Sequence, residues 1–132
     1  MTLLERADRV ESFAVDVPAG TTRAAPLSQA LTFRQGEVLR LELIIPDGHR
    51  ALTGFALAYA GQRVVPATNG AWIVGNDDTL DWPLEGLPTG GRWVAQAYND
   101  GTFAHTFYVR FHVNELDLGA PAGPRLVAPL PL

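Results

Sequence analysis

Three histidines, His49, His105 and His112, are the residues best suited to metal binding or proton transfer at neutral pH. His105 and His112 are seven apart, an odd offset that sends them to opposite faces of a regular strand, so a single metal cannot take both. His105 falls in an apolar alternation and reads as a core or interface ring. Asp77, Asp78 and Asp81, with Glu85 nearby, form the only acidic cluster suited to an ion. Calcium takes about 6–8 oxygens, but no bidentate Glu closes this loop at the distance a twelve-residue calcium loop requires. Asn76-Asp-Asp-Thr also spells a turn whose side chains bond their own backbone.

Nucleophilic chemistry finds little support. Ser12 and Ser28 are the only serines, neither lies in a Gly-x-Ser-x-Gly elbow, and no Gly-rich loop ends in Lys-Ser or Lys-Thr. The absence of cysteine excludes disulfides, thiolate catalysis and Cys-ligated zinc. Trp72, Trp82 and Trp93 have the flat apolar faces that stack on sugars, yet each sits in a short apolar stretch where a small domain needs bulk for its core. The expectation is a chain that is not an enzyme and holds no cofactor or metal.

These residues must be positioned by a single domain, because 132 residues are too few for two of ordinary size. A 47% hydrophobic and 18% charged composition excludes a wholly disordered chain. With 14 acidic residues against 10 basic ones, all arginine and scattered along the chain, no nucleic-acid partner is expected. No apolar run reaches the roughly 18 residues of a membrane span, and the first residues carry no signal-peptide core. Synthesis in the cytoplasm without a secretion signal follows as the expectation.

Thr2 and Glu5 have the spacing of a capping box, and Leu3, Leu4, Ala7 and Val10 share a helical stripe, which predicts a short helix or arm over residues 1–10. From residue 11 the period becomes two. Phe13, Val15 and Val17 alternate with Ser12, Ala14 and Asp16, and Leu31 and Phe33 alternate next. Leu39, Leu41, Leu43 and Ile45 share a face opposite Arg40 and Glu42. Phe55, Leu57 and Tyr59 oppose the small Gly54, Ala56, Ala58 and Ala60, a face on which another backbone or sheet can pack closely. Arg63-Val-Val-Pro predicts a strand that is an edge or ends at Pro66, which cannot donate to a ladder. Ala71-Trp-Ile-Val and Thr79 to Leu84 predict two further strands. Arg92–Tyr98 and Thr102–Val113, joined by Asn99-Asp-Gly, predict a hairpin with Phe103, His105, Phe107, Val109, Phe111 and Val113 on one face.

About eight short strands with Gly- and Pro-rich turns predict an all-β protein, a single β-sandwich over residues 11–114 of jelly-roll or immunoglobulin-like type. Residues 115–132 carry Pro121, Pro124, Pro129 and Pro131, which favour an extended arm. Leu3 and Leu4 at one end, and Leu116, Leu118, Leu126, Val127, Leu130 and Leu132 at the other, have no place in a core already supplied by eight strands. Exposed apolar side chains of this kind promote association, which makes these eight the candidate assembly contacts.

The segments Ile45-Pro-Asp-Gly-His, Leu52-Thr-Gly-Phe, Val65-Pro, Gly70-Ala-Trp-Ile-Val, Asp81-Trp-Pro-Leu, Trp93 to Asn99 and Thr102 to Val113 together resemble small β-sandwich virion structural proteins of tailed bacteriophages and prophages of GC-rich bacteria. The resemblance spans roughly residues 11–114 and transfers no site residue. It implies an accessory virion component such as a capsid decoration, vertex, neck or fibre-base protein. Its partners would be further copies of itself and other virion proteins such as capsid or connector subunits. The alternative is a carbohydrate-binding module reading a cell-surface glycan.

Overall fold

The structure is a computed structural model, and it describes residues 9–114. Eight strands follow in order: β1 (Arg9–Val17), β2 (Leu27–Leu31), β3 (Glu37–Ile45), β4 (Thr53–Tyr59), β5 (Gln62–Val65), β6 (Asp78–Pro88), β7 (Trp93–Asn99) and β8 (His105–Asn114). They form two four-stranded antiparallel sheets, ordered β1-β8-β3-β6 and β2-β7-β4-β5. No helix occurs among the described residues, and so none there is long and apolar enough to cross a membrane. Arg9 and Val10, expected at the end of a helix, open β1 instead. The rest of that predicted helix and the whole of residues 115–132 lie outside the described residues.

The period-two pattern builds one core between the sheets. Leu41, Leu43 and Ile45 of β3 and Phe107, Val109, Phe111 and Val113 of β8 face Phe55 and Leu57 of β4 and Trp93, Ala95 and Ala97 of β7, all buried. Edge-to-face ring contacts close one end of the core. Phe33 lies 5.3 Å from Phe13, 4.9 Å from Phe111 and 5.7 Å from Trp93 between ring centroids. A bulge between Val38 and Arg40 corrects the expected face of β3. The extra residue turns Val38 into the core and leaves Leu39 half-buried.

Connectivity departs most from the sequence reading. Only β4 and β5 are joined as a hairpin, through Ala60 and Gly61, both with positive φ (52° and 84°), the combination a two-residue hairpin turn needs. Every other connection crosses between sheets. The expected β7–β8 hairpin does not exist, since β7 pairs with β2 and β4 while β8 pairs with β1 and β3. Phe103 therefore lies in the crossing loop, 74% exposed, rather than on the core face of β8. Asn99 holds the crossover. Its Nδ2 donates to the carbonyls of Val17 (3.0 Å) and Phe103 (2.8 Å), and its Oδ1 accepts from the Gly101 amide (2.8 Å). Ala71-Trp-Ile-Val is likewise no strand. It contributes one bridge, Ile73 to Phe55, along the edge of β4 beyond β5.

Candidate functional site

The eight predicted assembly contacts, Leu3, Leu4, Leu116, Leu118, Leu126, Val127, Leu130 and Leu132, lie outside the described residues. The strands that lead to them are adjacent. Arg9 pairs with Val113, and Glu37 pairs with Asn114, so the chain enters and leaves the sandwich at the same end. Arg9 fastens that end by donating from Nη2 to the carbonyls of Arg34 (2.7 Å) and Gln35 (3.1 Å) and pairing with Glu11 at 2.7 Å.

The histidines separate as their spacing implied, with His105 and His112 on opposite sides of the first sheet. His112 Nε2 lies 3.0 Å from Arg40 on the outer surface, where Glu42 approaches it at 3.6 Å. His105 stacks on His49, with centroids 4.6 Å apart. His49 is 1% exposed, and both its ring nitrogens are engaged. The Thr106 carbonyl can only accept, so Nε2 donates to it (3.0 Å) and Nδ1 accepts from the Thr53 hydroxyl (2.7 Å). Burial holds its pKa below the ordinary 6.5; the Thr106 bond opposes that shift and His105 adds to it. A neutral ring with both nitrogens occupied is built for packing, not for ligation.

The acidic loop is organised by Asn76. Its Oδ1 accepts from the amides of Gly48 (2.9 Å) and Arg50 (2.7 Å), while Nδ2 donates to Asp47 (3.0 Å). The carboxylate of Asp78 accepts from the Asn76 amide at 3.0 Å. Among the described residues no group of three or more His, Asp or Glu is placed to hold a metal ion. The tryptophans have three different environments. Trp93 is buried at 1% exposure, Trp82 packs half-buried against the core, and Trp72 lies half-buried outside the second sheet.

That outer surface of the second sheet is the most organised of the described faces. Gly54, Ala56 and Ala58 point outward from β4, as their alternation with Phe55 and Leu57 requires, opposite Tyr98, Gln96 and Val94 of β7. Tyr98 covers Gly54, while Ala58, with Ala60 and Gly61 of the hairpin turn, lines a concavity of about 610 Å³. Arg63 crosses its margin, donating from Nε to Gln96 Oε1 (3.1 Å) and from Nη1 to the Ala71 carbonyl, with its guanidinium 4.7 Å above the Trp72 ring. Trp72 meets Tyr98 at 5.0 Å and 89°, and Arg23 lies 4.7 Å from the Tyr98 ring centre on that same surface. The sequence marked the small-residue face but not Arg63, whose partners are eight to 33 residues away.

Two apolar surfaces complete the exterior. Tyr108 (46% exposed) borders a depression of about 370 Å³ with Ala14 and Ile44 on the outside of the first sheet. Phe103 and Leu52 border another of about 390 Å³ beside His105. No protein-family model matches the chain, and no curated protein matches it in sequence.

Proposed function

We propose that this chain is a non-catalytic structural assembly subunit of a tailed-phage virion, an accessory capsid decoration, vertex, neck or fibre-base component. It docks onto further copies of itself and onto other virion proteins through the terminal segments that hold Leu3 and Leu4, and Leu116 to Leu132. The observation that carries this reading is the strand order, β1-β8-β3-β6 against β2-β7-β4-β5. Of the seven connections between the eight strands only β4–β5 returns within one sheet, which supports the jelly-roll reading, an architecture of viral capsid and lectin domains. Such an architecture hosts many functions, so the position of the chain ends matters as much. Arg9 and Asn114 stand at one end, a placement that supports two apolar segments engaging one neighbour. Many weak contacts of this kind gain avidity on a repeating lattice.

The test is particle incorporation of the chain with residues 116–132 removed. Loss of incorporation with a folded sandwich is expected, and full incorporation would refute docking through that segment. Carbohydrate binding by stacked tryptophans draws less support, since Trp93 is buried and Trp72 already carries Arg63 over its ring.

A further inference from the structure

Acidic residues are segregated between the sheets. The strands of the first carry Glu11, Asp16, Glu37, Glu42, Asp78, Asp81 and Glu85, whereas β2, β4, β5 and β7 contain no Asp or Glu. In a chain of net charge −4, the outer concavity of the second sheet is thus lined by two arginines, Arg63 and Arg92, and by no carboxylate. The rest of its polar lining is Ser28, Asn69 and Gln96, which offer a hydroxyl and two amides.

The two guanidinium groups differ in a useful way. Arg63 is fixed by Gln96, the Ala71 carbonyl and Trp72, leaving Nη2 without a partner among the described residues. The exposed Arg92 side chain makes no hydrogen bond or ion pair among the described residues, so it is available to close on a ligand. A fixed planar donor beside a movable one suits a carboxylate, which takes guanidinium bonds in pairs.

The geometry points to this concavity as a binding site for an acidic saccharide of one or two rings. Its carboxylate sits between Arg63 and Arg92, its ring hydroxyls meet Ser28, Asn69 and Gln96, and an apolar ring face rests on Ala58. A volume of about 610 Å³ suits a ligand of that size. A bare inorganic anion would leave the amides and hydroxyl unmatched. An extended acidic peptide reads a free sheet edge or a long groove, and this site is a half-open hollow on a sheet face. The site lies on the outer face of the second sheet, whereas the chain enters and leaves through β1 and β8 of the first, and it rests on its own lining rather than on the assembly reading.

The experiment is a titration of the full-length, isotope-labelled chain with digalacturonic acid, followed by amide NMR shifts, with maltose and inorganic phosphate as comparison probes. Saturable shifts centred on Ser28, Ala58 and Gln96 are expected, weakened roughly tenfold or more for maltose and for phosphate. Arg92→Gln should weaken digalacturonate binding by roughly tenfold while leaving the remaining spectrum in place, because the side chain is exposed and supports no packing. Equal binding of maltose, equal binding of phosphate, shifts that map elsewhere, or no saturable shift would each overturn the proposal.

Discussion

Replacing Asn99 by alanine should destabilise the sandwich more than any other single polar truncation among the described residues. The Asn99 side chain is fully buried and ties β7 to three backbone groups: the Val17 carbonyl of β1 in the other sheet, and the Phe103 carbonyl and Gly101 amide of the crossing loop. The Val17 bond is buried, so losing it leaves a desolvated carbonyl at about 1–3 kcal/mol, while the two part-buried bonds contribute about 0.5–1.5 kcal/mol each. A loss of about 2–6 kcal/mol follows, a large share of the roughly 5–15 kcal/mol that holds a domain together. Urea unfolding followed by tryptophan fluorescence should show a midpoint lowered by on the order of 1 M or more at unchanged slope. Asn99→Asp gives a sharper check. It keeps the acceptor for Gly101 but aims a carboxylate at two carbonyls, so it should be at least as damaging at pH 7 and recover in part as pH falls toward about 4. A midpoint for Asn99→Ala within about 0.3 M of the parent would refute the crossover role assigned to this residue.

The neutral, buried state of His49 predicts a pH dependence of stability. Its pKa lies below 6.5 in the folded chain, so the unfolded chain binds the proton more tightly. Its contribution to stability is therefore full above pH 6.5 and is lost as pH falls from there through the lowered folded value. Denaturant midpoints measured from pH 7.5 to 5 should fall more steeply for the parent than for His49→Gln; parallel curves would contradict the assignment. Gly54→Ala should cost about 1–3 kcal/mol, because a methyl there overlaps the Tyr98 ring, itself hemmed by Arg23 and Trp72. Thermal unfolding would measure it, and adding Tyr98→Leu should recover part of the loss.

The buried faces were legible in the sequence wherever strict alternation persisted. Leu41, Leu43 and Ile45, then Phe107, Val109, Phe111 and Val113, occupy the core face their spacing required. Alternation cannot say which sheet a strand joins, however. Asn99-Asp-Gly has the composition of a hairpin turn, and only its buried side chain, bonded to a carbonyl 82 residues earlier, shows that the chain crosses sheets there. Leu39 was misassigned because a bulge is a pairing irregularity that leaves no mark on local hydropathy. Pro66 implies a strand that is an edge or ends there, since a missing donor is a local property, and β5 is an edge strand that stops at Val65. The arginine-lined hollow was hidden for the converse reason. Ser28, Arg63, Arg92 and Gln96 come from separate strands and loops, and the separation of acidic residues by sheet has meaning only once strand order is known.

The central claim is that the terminal segments drive assembly of a sandwich that holds itself together. Light-scattering mass on a sizing column, comparing residues 1–132 with residues 9–114, tests it most directly. An oligomer for the full chain and a folded monomer for the sandwich is the expected result. Equal association states for the two, whether both monomers or both oligomers, would contradict it.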